Sequence, residues 1–301
     1  MATVTERRKI LGLKRLLVAT DLSSRAEKAI ARAVQLAEEH SGTLSVLHIL
    51  TGASGHETER SQIVSRIEKD LRRKLEALSL KRTALASVRV LSGTPFVEII
   101  RQGREEAADL IVVGAHGKDF MKDLLLGATA EKIVRKGDRS VLVVKRAAQS
   151  SYRRVLVGVD FSDNSRHALE LALRLAPRAE FHALHVYAGV EGMLRRAGVT
   201  DSGIVRYQRE VAKEARKQME IFIRSIDRHR KPIRREVWNG RAGREITTIA
   251  RRQRADLVAV GTAGRTGIPY ILLGSVAEHV MREAACDVLV VRSGSIPFEL
   301  P

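Results

Sequence analysis

The chain repeats itself, and that restricts its fold more than any single motif does. Leu16–Ser23 reads LLVATDLS and Val155–Ser162 reads VLVGVDFS. Ala107–Gly117 reads AADLIVVGAHG, answered by RADLVAVGTAG at Arg254–Gly264. SVLVVKR at Ser140–Arg146 returns as DVLVVRS at Asp287–Ser293, and between these anchors Ser92–Ile100 aligns with Asn239–Thr247. Two copies of one unit therefore fill the 301 residues. The small-residue run AAQSS at 147–151 marks the junction, giving domains 1–148 and 151–296.

Each copy alternates short apolar runs with helical patterns. Strands are expected in the first copy at Arg15–Ala19, Thr43–Leu50, Ser87–Leu91, Leu110–Val113 and Val141–Val144. The runs at Leu110 and Val141 are continuously apolar, as strands covered on both faces must be. Ser24–His40 places Ala26, Ala29, Ile30, Ala33, Val34 and Ala37 on one stripe, with Ser23 or Ser24 available to cap it, and Asn164–Leu175 repeats the pattern before Pro177. Strands separated by helices imply βαβ units, so each copy is expected to be an α/β domain with a doubly wound, five-stranded parallel sheet. In the second copy the longer, basic segment Gly189–Arg230 is expected to form an extended helix over the site or along the surface.

One constellation bears on function. Gly261, Gly264 and Gly274-Ser275 follow the fourth strand of the second copy with the spacing G-x2-G-x9-G-S, and Val276 then opens a helix. Glycines after a strand allow positive φ and close approach to a ligand, and a helix N-terminus supplies free N–H groups and a positive dipole end. Ser275 adds a hydroxyl and Arg265 a cation beside Gly264. The carboxyl end of a strand is where open α/β sheets bind ligands. The first copy keeps the spacing at Gly114, Gly117 and Gly127, but Ala128 stands where Ser275 does; Thr129, His116 and Lys118 lie nearby.

This repeated spacing, with Asp21 and Asp160 ending the first strand of each copy, resembles the universal stress protein family over nearly the whole chain. The resemblance implies a Rossmann-like fold of the adenine-nucleotide alpha hydrolase type, with the last strands pairing the two domains as a pseudo-dimer and a homodimer as a further assembly. It implies ATP or another adenine nucleotide as ligand, with or without Mg²⁺. Carried over to this chain, the glycines and Ser275 would hold phosphates and Asp160 the adenosine part. Val186 and Ile49, near the ends of the second strands, would line the adenine pocket. The corresponding set in the first copy is Asp21, Gly114, Gly117 and Gly127. The resemblance further implies a stress-response regulator acting through a protein partner; a weak ATPase and a ligand-free scaffold with a basic surface are the alternatives.

Structural roles compete with these. Asp21 and Asp160 also suit helix N-caps, Gly93 and Gly240 suit turns, and His48 and His185 suit packed, hydrogen-bonded positions better than metal ligation. Asp109 and Asp256 suit caps or loop contacts better than catalysis, and Cys286 reads as a small, partly buried residue. The P-loop, the dinucleotide fingerprint, the G-x-S-x-G elbow and H-E-x-x-H are absent, as is the S-G-G-x-D-S loop of ATP pyrophosphatases. The net charge is +18, split as +9 from residues 1–148 and +9 from the rest. Such charge steers polyanions, yet with 4% aromatic residues there is little to stack bases, and nucleic acid is not an expected partner. The single cysteine rules out an intrachain disulfide, and no run reaches the ~20 apolar residues of a membrane span, so a cytoplasmic location is the default expectation.

Overall fold

The computed structural model describes residues 13–52, 57–78, 84–115, 127–226, 231–262 and 273–292. The chain divides into two compact units between Ser151 and Tyr152.

In the first unit β1 (Arg15–Thr20) is followed by α1 (Ala26–His40), β2 (Thr43–Leu50), α2 (Glu57–Ala77) and β3 (Leu85–Ser92). The unit continues with α3 (Pro95–Glu105), β4 (Leu110–Gly114), α4 (Ala128–Lys136) and β5 (Val141–Val144). The strands are parallel, in the order β3-β2-β1-β4-β5. The second unit repeats this with β6 (Arg154–Val159), α5 (Asp163–Leu175), β7 (Glu180–Tyr187), α6 (Glu191–Arg196), α7 (Asp201–Ile226) and β8 (Ile233–Asn239). It ends with α8 (Ala242–Arg252), β9 (Leu257–Gly261), α9 (Ser275–Glu283) and β10 (Asp287–Val291), and its parallel strands run β8-β7-β6-β9-β10. The doubly wound α/β reading holds for both copies. In each, strand order reverses between the first and fourth strands, and open α/β sheets bind ligands at the carboxyl ends of the strands at such a point.

The apolar runs fill the sheets as their composition demands. Val18, Leu110, Val112, Leu142 and Val143 are fully buried, and so are Val157, Leu257, Val258, Val288 and Leu289 in the second unit. The Ala26–Ala37 stripe of α1 is buried as its period requires. Asp109 closes the base of the first sheet: its Oδ2 accepts the N–H groups of Lys14 and Arg15 at 2.8 and 2.9 Å. Asp256 does the same for Arg153 and Arg154 at 2.8 and 2.9 Å, so both are loop contacts. Cys286 is buried rather than partly buried.

Two expectations about helices need correction. α1 starts at Ala26, two residues later than its pattern suggested, because Leu22 takes a left-handed φ of 64° and the Ser23 hydroxyl accepts the Ala26 N–H at 3.2 Å. The Gly189–Arg230 segment is not one helix. Gly198, at φ 79°, breaks it into α6 and α7, and Thr200 Oγ1 accepts the Gly203 N–H at 3.2 Å as α7 begins.

The turns after α3 and α8 hold Ala107 and Arg254 at φ 48° and 51°. In each, the next N–H reaches back five residues, Ala108 to Gly103 at 2.9 Å and Ala255 to Ala250 at 2.8 Å, a Schellman closure that favours glycine. Arg254→Gly is expected to raise stability by about 0.5–1 kcal/mol, the left-handed cost of about 1–2 kcal/mol less the backbone entropy that glycine gives up, as read from the shift in urea midpoint.

Candidate functional site

Asp160 follows β6 and Gly261 ends β9, the two strands that flank the reversal point. Phe161 takes a left-handed φ of 66°, which turns the chain sharply into α5. The Asp160 carboxylate does not cap that helix; this alternative is corrected by the geometry. Its Oδ1 accepts the Ser162 N–H at 3.0 Å and the Ser162 Oγ–H at 2.5 Å, and Ser162 is the cap, its hydroxyl accepting the Ser165 N–H at 3.2 Å. The first unit builds the same turn: Asp21 Oδ1 accepts from Ser23 N and Oγ at 3.0 and 2.6 Å, and Leu22 carries the positive φ. A bulky residue in the left-handed region costs on the order of 1–2 kcal/mol. Both copies bear that cost at the same place, where the strands meet.

The motif glycines that open the helices work differently from the expectation of positive φ. Gly127 and Gly274 are extended, at φ −62° and −61°, and are the N-cap residues of α4 and α9. Gly261 is required by contact: a Cβ there would lie 2.7 Å from Asn164 Cβ and 2.9 Å from its carbonyl carbon, so α5 could not seat against β9. The Gly274 N–H donates to Thr262 O at 2.7 Å, and Gly127 N–H to Ala115 O at 2.7 Å. Each bond holds the N-terminus of the helix at the strand's carboxyl end. Ser275 is the first residue of α9 and is exposed; Val276 is half-buried. Nothing in the first turn of a helix can satisfy its leading N–H groups from within, so α9 presents donors where Ser275 presents a hydroxyl. Gly114 ends β4 in the matching position. Gly117, Gly264 and Arg265, with His116 and Lys118, lie outside the described residues.

Val186 is on β7, beside β6. Its neighbour His185 donates Nδ1–H to the Val159 carbonyl at 2.7 Å and stacks against Phe161 at 4.4 Å between ring centroids. His48 repeats the bond to Thr20 O at 2.8 Å, so both histidines fasten the first strand to the second. Among the described residues no group of three His, Cys, Asp or Glu could hold a metal ion. Gly93 and Gly240 sit at φ 149° and 154°, the turn positions expected of them. Sequence reasoning passed over Glu191, Gln208 and Asn239, which meet at the carboxyl ends of β7 and β8; Asn239 before a turn glycine was the one available signal.

Another polar group lies away from these strand ends. His182, buried on β7, donates Nδ1–H to Gln253 Oε1 at 2.7 Å, and its Nε2 faces Glu236 Oε2 at 3.5 Å. Burial pushes the imidazole below its ordinary 6.5, against the pull of Gln253 and Glu236. Burial also opposes ionisation of Glu236, but Trp238 N–H, His182 and Arg234 hold its carboxyl below the usual range. Because the native imidazole binds its proton more weakly than the unfolded one, stability declines as pH falls below 6.5, until the lowered native value is reached. His182→Gln is expected to flatten that decline, measured by urea unfolding at about pH 7.5 and about pH 5.5.

Comparison with known proteins agrees with the architecture. The sequence model of the Universal stress protein family matches residues 12–145 and 151–292. A universal stress protein of Methanocaldococcus jannaschii is 31% identical over 148 residues, covering 49% of this chain and 86% of its own length. One from Mycobacterium tuberculosis is 28% identical over 243 residues, 78% of each chain. The crystal structure of a universal stress protein from Archaeoglobus fulgidus superposes with a TM-score of 0.65 at 21% identity, covering 93% of this chain and 98% of that one, and shares its fold. With the family matched once in each copy, this chain belongs to the universal stress proteins, as a tandem pair of their domains.

Proposed function

We propose that the chain binds an adenine nucleotide, ATP foremost, mainly through its second domain, and acts as a stress-response regulator whose ligand biases its contacts with a protein partner. The observation that carries this reading is the convergence at the reversal point of the second sheet. The Asp160 turn leaves β6, Gly261 ends the adjacent β9, and the Thr262–Gly274 bond of 2.7 Å plants the N-terminus of α9 beside them. An anion is favoured at such a helix N-terminus, and Ser275 adds a donor for a phosphate oxygen. The Asp160 carboxylate suits the hydroxyl or amino groups of a nucleoside. Gly264, Arg265 and Val186 complete the proposed contacts. The first domain keeps Asp21, Gly114, Gly117 and Gly127, but Ala128 has no hydroxyl to offer, so weaker binding is expected there.

Equilibrium titration with ATP, ADP and AMP, with and without Mg²⁺, tests the proposal. Ser275→Ala is expected to weaken ATP about tenfold and AMP less, as the loss of one hydrogen bond to a charged group predicts. Asp160→Ala is expected to weaken all three alike. An absence of binding by the unmodified chain would reject the proposal, and equal binding by both variants would reject the assignment to the second domain.

A further inference from the structure

Between β7 and α7 the second domain carries α6, a six-residue helix that buries none of its side chains; Met193 is 58% exposed. A helix this short does not persist on its own, so some contact holds it in place. Arg195 pairs with Asp201 at the start of α7 at 3.2 Å, and the contact that reaches the sheet is Glu191. Its carboxylate Oε1 accepts from the side-chain amide of Asn239, the last residue of β8, and from Gln208 Nε2 on α7 at 2.5 Å. Gly189 runs so close beside them that a Cβ there would lie 2.7 Å from Asn239 Oδ1. The Asn239 amide, a bond within Glu191 itself and the Gln208 amide hold the carboxyl below the usual carboxylate range.

The connection continues into the sheet. Asn239 pairs in register with Tyr187, and the N–H of Gly240 donates to the Tyr187 carbonyl at 3.0 Å. Val186 is the next residue back. An unbroken path therefore leads from α7, through one carboxylate, to the carboxyl end of β7. In the first domain Ser92 stands in the register position of Asn239, opposite Leu50, with a short hydroxyl in place of the amide.

We propose that Glu191 is a positioning residue that clamps α6 to β8 and so fixes the carboxyl end of β7, and with it the adenine side of the nucleotide site, in the second domain only. The second half of this inference rests on the nucleotide reading. The full chain, Asn239→Asp and the reversed pair Glu191→Gln/Asn239→Asp separate the two halves. Asn239→Asp sets two carboxylates face to face; the reversed pair restores an amide donating to a carboxylate. The first readout is the rate of trypsin cleavage at Arg195 and Arg196 without nucleotide, and the second is ATP affinity.

Asn239→Asp is expected to be cut faster and to bind ATP about tenfold more weakly, and the reversed pair to recover both. Recovery by reversal is a result that mere loss of packing would not give. Unchanged cleavage in Asn239→Asp would overturn the clamp. Faster cleavage with unaltered ATP affinity would overturn its reach to the site. If the unmodified chain binds no ATP, the nucleotide reading fails and the adenine half falls with it, while the cleavage rates still decide whether Glu191 holds α6.

Discussion

Gly261→Ala is expected to destabilise the second domain by about 1–3 kcal/mol, the usual cost of forcing a methyl group into filled space. The reason is the identity of what the methyl would meet. At Gly158 a new Cβ would press on the Ile246 Cδ1 methyl at 2.9 Å, the far end of a side chain that can rotate aside. At Gly261 the obstacles are Asn164 Cβ at 2.7 Å and Asn164 carbonyl carbon at 2.9 Å, which move only if the start of α5 moves. That helix begins directly beyond the Asp160 turn, so the substitution is expected to lower both the second domain's denaturation midpoint and ATP affinity. Gly158→Ala, tested alongside, is expected to give the smaller loss of stability and to leave affinity unaltered. Equal effects from the two substitutions would show that backbone contact at Gly261 is not what requires glycine.

Tyr152→Phe is expected to cost about 1.5–3 kcal/mol, the range for hydrogen bonds to charged groups. Tyr152 opens the second unit, and its hydroxyl donates to Asp287 Oδ2 at 2.7 Å. Both are buried, Asp287 fully so, and the charge at the start of β10 is therefore one that water does not solvate. Removing the hydroxyl leaves volume and shape almost unchanged, so a fall in the urea midpoint measures the lost bond rather than a cavity. The effect is expected to vanish once Asp287 is also replaced by Asn, since a neutral amide tolerates the missing donor better than a carboxylate does.

The strands and the duplicated α/β order were legible from apolar pattern and length: Leu110–Gly114 and Val141–Val144 are short, uninterrupted, valine-rich runs that suit a strand covered on both faces. What escaped depends on single dihedrals and distances. Nothing in the composition of DLS or DFS announces a left-handed Leu22 or Phe161, which the surrounding sheet and helix impose. The motif glycines were visible, but the reason for Gly261 was not, because it involves Asn164, nearly a hundred residues away in the chain. Glu191 was invisible for a similar reason: its partners come from β8 and from α7, and only the fold brings them together.

The bonds that join Ala115 to Gly127 and Thr262 to Gly274 hold together the two ends of each intervening stretch of chain. Because the two ends already touch, lengthening the intervening segment changes its closure entropy only logarithmically, about 0.6 kcal/mol for a doubling. On the proposed nucleotide reading, these two windows are where one copy can change its ligand preference while the other keeps its own, and exchanging the two segments between the copies would carry that preference with them.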